Sequence, residues 1–136
     1  MHAGRCLCGK VSFTVEAEPL AVRACWCRLC QYLGAGSATV NAIFPAEALS
    51  VTGETADYQS VADSGAAMHR RFCASCGTAL FSASETRPHL IVIRVGALDD
   101  PERYAPQSTI WTSAAPAWAC ISDDIPRVEK QPPPAG

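Results

Sequence analysis

Two short cysteine pairs constrain this chain more than any other feature. Cys6-x-Cys8 opens it, and Cys73-x-x-Cys76 begins 65 positions after Cys8. In extended backbone, residues i and i+2 point to the same face, so Cys6 and Cys8 can grip one metal ion while Leu7 turns into the core. Cys73-Ala-Ser-Cys76-Gly77 has the form of a zinc knuckle, a tight turn with two converging thiolates and a glycine where positive φ is needed. The two pairs supply four thiolates, enough for a closed tetrahedral site. Such a site would clip the N-terminal end to the middle of the chain and add its binding energy to folding. Buried free thiols and a redox CxxC are the competing readings. The redox pair is disfavoured because no βαβ pattern surrounds Cys73 and Cys76.

A second group is denser. "CWCRLC", residues 25–30, holds three thiols, with Cys120 far along the chain. Cys25 and Cys27 share a strand face, and Cys30 can swing back if a helical turn starts at Arg28. Three thiolates on one zinc leave a coordination position open, the feature that separates catalytic from structural zinc. Two alternatives stay open: Cys120 closes the site as a fourth ligand, or the cluster holds no metal and carries one reactive thiol near Arg28. Cys120 lies in the apolar stretch "APAWACI" and reads as a core thiol, so the open site is the preferred reading.

The hydrophobic pattern predicts an all-β fold, a sandwich of short antiparallel strands with at most short helical turns. Strands are expected over 10–17, 21–27, 37–44, 48–53, 56–61, 66–73, 79–84, 89–96 and 107–113. Segment 89–96, "HLIVIRVG", is apolar on both faces and reads as the central strand. Helix is expected only after Cys27 and near Pro101. Residues 1–130 read as one domain, followed by a Pro-rich frayed tail at 131–136.

The charge balance is −2 with 18% charged residues, which offers no electrostatic footprint for nucleic acid. No apolar run reaches the length of a membrane span. The N-terminal stretch "MHAGRCLCGKVSF" has no apolar region typical of an export signal. The chain therefore reads as cytosolic, where eight cysteines point to metal or thiol chemistry rather than disulfides.

Taken jointly, "GRCLCGKVSFTV", "CWCRLCQ" with "GAGS" behind it, "RRFCASCGTALF" and "IRVGALDDP" resemble the glutathione-dependent formaldehyde-activating enzyme family, of the centromere protein V superfamily. The resemblance runs from about Gly4 to about Pro126. It implies a β-tent fold with zinc on Cys6, Cys8, Cys73 and Cys76 as a structural ion. It also implies a second, more labile zinc on Cys25, Cys27 and Cys30, used with glutathione as co-substrate. The implied activity is reversible condensation of a small thiol with an aldehyde such as formaldehyde, a carbon–sulfur lyase chemistry. The alternative is a non-catalytic zinc-stabilised binding module with two structural sites. A homo-oligomer is compatible with either.

Glutathione's two carboxylates suit arginine forks. Arg23 shares strand parity with Cys25 and Cys27, and Arg28 lies inside the loop, so these two are the candidate carboxylate contacts. Arg70 and Arg71 read as cover for the structural site, and His69 as a candidate proton relay. Trp26, which should point away from the cysteines into the core, and Gln31-Tyr32 depart from the family pattern beside the second zinc. A basic pair is common where Gln31 and Tyr32 stand, so weak glutathione binding is the expectation.

Overall fold

The computed structural model describes residues 1–62 and 65–136. Its strands are β1 (His2–Arg5), β2 (Ser12–Val15), β3 (Ala21–Cys25), β4 (Thr39–Pro45), β5 (Leu49–Thr52), β6 (Thr55–Val61), β7 (Ala67–Cys73), β8 (Ala79–Ser84), β9 (Leu90–Arg94) and β10 (Ser108–Ile110), with one α-helix, α1 (Arg28–Leu33). They form a three-stranded sheet, β1-β2-β5, and a seven-stranded sheet, β10-β3-β4-β9-β8-β7-β6. Every pairing between these strands is antiparallel except β10 on β3. The mainly β expectation holds, and β9 is the middle strand of the large sheet as its two-sided apolar character implied.

Period-two alternation decides which side chains meet. Val22, Ala42, Phe44, Phe81, Ile91 and Ile93 face inward from the large sheet, against Phe13 and Val15 from the small one. The Phe13 and Phe81 rings meet edge-on, with centroids 5.1 Å apart. Each such buried side chain is worth roughly 1.5–3 kcal/mol. The residues between them turn to the other face. The register there aligns Cys25 with Thr39, Arg23 with Asn41, Asn41 with Arg94, and Ser82 with both Val92 and Arg70. This second face carries the site.

Three expectations are corrected. Cys6–Cys8 is not extended: β1 ends at Arg5, a turn follows, and Leu7 is 82% exposed instead of packing in the core. The turn closes locally, the Gly9 N–H donating to the Cys6 carbonyl at 3.1 Å and the Cys6 N–H to that of Val11 at 3.0 Å. Strand β1, His-Ala-Gly-Arg, had no apolar signature because its buried anchor is a histidine: His2 packs on Phe44 and hydrogen-bonds Tyr104. Residues 131–136 do not fray away from the body. Arg23 Nη2 donates to the Pro133 carbonyl at 3.4 Å, Trp111 Nε1 to Gln131 Oε1 at 3.0 Å, and Val128 N to Thr109 O at 2.8 Å, so the end of the chain follows the β10 edge onto the second face.

Among the described residues, no helix is long and apolar enough to cross a membrane.

Gly4 marks a close approach of β1 to the turn that follows β9. A Cβ there would lie 2.3 Å from both the Ala97 carbonyl oxygen and Phe13 Cζ, and the backbone oxygen cannot swing aside. Gly4→Ala should therefore destabilise by about 1–3 kcal/mol through overpacking, seen as a melting point several degrees lower. An unchanged melt would show that β1 is loosely held.

Candidate metal centres

The first thiol cluster forms where the β1–β2 turn meets the β7–β8 turn. The sulfurs of Cys6, Cys8, Cys73 and Cys76 all lie within 4.8 Å of one another and could hold a metal ion. Cys6 to Cys8 is 3.6 Å and Cys8 to Cys73 is 3.7 Å. Backbone N–H groups aim at the sulfurs: Val11 N at Cys6 (3.3 Å), and Ser75 N and Cys76 N at Cys73 (3.3 and 3.4 Å). Gly77 adopts φ +78°, the conformation anticipated for the residue after the CxxC. Thr78 escaped sequence reasoning. Its hydroxyl accepts from Leu7 N at 3.1 Å and contacts Cys76 Sγ at 3.1 Å, so it joins the two loops. The Thr78 hydroxyl and then its backbone N–H pull the Cys76 thiol down to about 5.

The second cluster sits at the end of β3. Cys25, Cys27 and Cys30 bring their sulfurs within 4.8 Å of one another, and no further Cys, His, Asp or Glu joins them among the described residues. Strand β3 stops at Cys25, short of the expected 27, because Cys27 is already the cap of α1: its sulfur accepts from Cys30 N at 3.3 Å. That cap folds Cys30 back beside Cys25. Cys25 and Cys30 are buried, Cys27 half-exposed. Bonds from Cys25 and Cys30, then from the Cys30 and Leu29 N–H groups, hold the Cys27 thiol far below its ordinary range. The bonds to Cys27 and Cys30, together with burial, push Cys25 up. Trp111 and Val128 pack against it. Trp111 stands at φ +56°, an uncommon region for a bulky residue.

A polar chain runs from the sheet into this cluster. Arg94 Nη1 donates to Asn41 Oδ1, Asn41 Nδ2 donates to Thr39 Oγ1 at 3.0 Å, and Thr39 hydrogen-bonds Cys30. Arg94 lies within electrostatic reach of all three cysteines, though burial pulls its pKa below the ordinary guanidinium value. Sequence reading missed all three residues. The signal available was strand parity, which Arg23 already exploited: β4 and β9 carry Thr39, Asn41 and Arg94 on the same face as Cys25.

The other candidates separate clearly. Arg23 lies on the cluster's face, two residues from Cys25. Arg28 does not turn toward the sulfurs: its guanidinium sits 5.1 Å from the Tyr32 ring centroid and donates to Gln31 Oε1 at 2.7 Å. His69 is engaged by Asp57 at 2.6 Å and Glu85 at 3.3 Å, in an ion cluster outside the thiol groups, so it is no relay for them. Cys120 is exposed, not a core thiol, and belongs to neither cluster. Trp26 is buried, as expected, and meets Trp118 edge-on at 6.4 Å. Gln31 is a buried clamp, its Nε2 donating to the carbonyls of Trp26 (2.8 Å) and Ala114 (3.0 Å).

Fold and site together define a small, mainly β protein built around two convergent thiol clusters. The family model for glutathione-dependent formaldehyde-activating enzyme matches residues 1–114, and the chain belongs to that family. A Rhodobacter sphaeroides protein, solved as a structural-genomics target, is similar in fold over 92% of this chain and 98% of its own, with a TM-score of 0.60 and 21% identity. Among curated proteins, none matches.

The Gln31 clamp fixes the loop that presents the three thiols. Gln31→Leu would leave two carbonyls without their donor at nearly constant volume, and should cost about 1–3 kcal/mol. Thermal melting checks this. A variant as stable as the parent would mean that water replaces the amide.

Proposed function

We propose that this chain is a zinc-dependent carbon–sulfur lyase-type enzyme that joins a small thiol, glutathione by family, reversibly to an aldehyde such as formaldehyde. The observation that carries this reading is the contrast between the clusters, four convergent sulfurs in one and three in the other. Around zinc with a Zn–S distance of about 2.3 Å, tetrahedral geometry requires sulfurs about 3.8 Å apart. The 3.6 and 3.7 Å separations in the first cluster fit that demand. Cys6, Cys8, Cys73 and Cys76 would hold a structural ion, and Cys25, Cys27 and Cys30 a second ion with room for a fourth ligand.

At the three-thiol site such an ion would supply acidity, so that a substrate thiol binds as its thiolate near neutral pH. The protein's own groups do the rest. Cys27 is the half-exposed member of the trio and marks the side from which a ligand approaches. Trp111 and Val128 cover part of the cluster and limit water there. Arg94, one hydrogen-bonded chain away from Cys30, offsets the negative charge that three ionised thiols bring. Thr39 keeps Cys30 oriented, as outer hydrogen-bond partners do for metal ligands in general.

In the condensation, the substrate sulfur forms a bond to the aldehyde carbon. The carbonyl electron pair moves to oxygen, which takes a proton from water. The reverse reaction breaks the same C–S bond. The site's contribution is to hold the two reactants together, since proximity and orientation lower the barrier of a bimolecular step.

Two substitutions test the division of labour. Cys73→Ser should lower the melting temperature by tens of degrees or leave the protein insoluble, because a structural ion's binding energy is folding energy. Cys27→Ser should melt near the parent, carry one zinc equivalent less, and lose thiol-dependent condensation. If Cys73→Ser keeps its metal and its melt, or Cys27→Ser keeps full activity, the assignment fails.

A further inference from the structure

Four arginines share the second face of the large sheet with the three-thiol cluster. Arg23 stands opposite Asn41 and Asn41 opposite Arg94, while Arg70 on β7 stands opposite Ser82, with β9 and β8 lying between β7 and β4. Arg87 follows β8 and, with Arg23 and Ser82, lines a groove of about 290 Å³. The chain end, through Pro132 and Pro134, forms its outer wall. All four arginines are half-buried. The ion pairs among the described residues lie elsewhere, at His2–Glu18, at His69 with Asp57 and Glu85, and at Asp123–Arg127. None of the four therefore has a carboxylate partner among the described residues.

Their donors are also underused. The buried Nε atoms of Arg70 and Arg87 have no hydrogen-bond partner. Arg70 spends one Nη on Ser60 at 2.5 Å and Arg94 one on Asn41, while Arg23 reaches only a carbonyl. A guanidinium offers five donors. Arg70 and Arg94 are moreover close enough to repel each other. Buried cations without counter-charges are costly unless something pairs with them. The ionised thiols of the cluster would account for Arg94, but not for Arg70 and Arg87, which lie farther along the face.

We propose that Arg94, Arg70 and Arg87, with Arg23 at the rim, form a carboxylate-binding subsite that selects an extended acidic thiol for the neighbouring cluster. The identity of the ligand as a thiol rests on the function proposed above; the anion subsite itself rests on the arginines. The positive charge missing at Gln31 and Tyr32 is supplied from β7, β9 and the segment after β8, so weak glutathione binding no longer follows from those two positions. The chain end closes one side of the groove, which favours a slender, peptide-like ligand over a bulky one.

Calorimetry on the zinc-loaded full-length protein tests the subsite with three probes. These are glutathione, its sulfur-free isostere γ-glutamyl-2-aminobutyryl-glycine, and uncharged 2-mercaptoethanol. The isostere should bind the parent, and Arg70→Gln and Arg94→Gln should each weaken it about 10- to 100-fold, the worth of one charge-assisted bond. Arg71→Gln, on the same strand but the opposite face, should change affinity less than about twofold and controls for net charge. If Arg94→Gln does not fold, Arg70→Gln and Arg87→Gln carry the test. No binding of the isostere at millimolar concentration, or equal weakening by Arg71→Gln, overturns the subsite. Isostere binding that depends on Arg70, with glutathione binding no more tightly than the isostere, would keep the subsite and refute the thiol chemistry. Heat from 2-mercaptoethanol with none from the isostere would keep the thiol chemistry and refute the subsite.

Discussion

Everything at the candidate site depends on the pleat of three adjacent strands. On β3, β4 and β9 the register is unbroken from Ala21–Ile43–Val92 to Arg23–Asn41–Arg94, so each strand sends alternate side chains to opposite faces. Val22, Ala42, Phe44, Ile91 and Ile93 bury against the small sheet. The same packing obliges Arg23, Cys25, Thr39, Asn41 and Arg94 onto the far face together. A one-residue slip would exchange the two sets, burying charge and exposing the core. Core packing is thus what holds the polar chain Arg94–Asn41–Thr39–Cys30 in place.

The two thiol clusters use different local devices to reach convergence. In the first, two turns far apart in sequence are brought edge to edge and stitched by Thr78 and by N–H groups aimed at sulfur. In the second, a strand end runs straight into a helix cap, so that three cysteines within six positions share one small volume. The first cluster ties distant segments of chain and suits a structural role. The second is local, and the fold around it stands on the core instead. This division explains why substitutions in the first cluster should cost stability and those in the second should leave it nearly unchanged.

Much of this was legible in the sequence. The strand content, the central place of β9 and both cysteine groupings follow from alternation and spacing. What escaped has physical causes. Strand β1 is buried through His2 and Gly4, which carry no apolar signature. The Cys6–Cys8 segment converges by a turn, so the extended-strand argument placed Leu7 on the wrong side. Arg28 was judged by its position inside the loop, but Gln31 and Tyr32 take its side chain. Arg94 and Arg70 were hidden for the opposite reason: they are remote from the cysteines in sequence and reach the same face only through pairings that sequence alone does not reveal.

The central claim is that the second cluster would hold zinc with a position free for substrate sulfur. X-ray absorption at the zinc edge, on protein carrying its full metal complement, tests it directly. The account predicts two zinc equivalents, one with four sulfur neighbours and one with three sulfurs and a lighter atom. Adding a small thiol should then replace the lighter atom with sulfur. Sulfur-only coordination at both ions before any thiol is added, or a single zinc equivalent held by the first cluster alone, would contradict it.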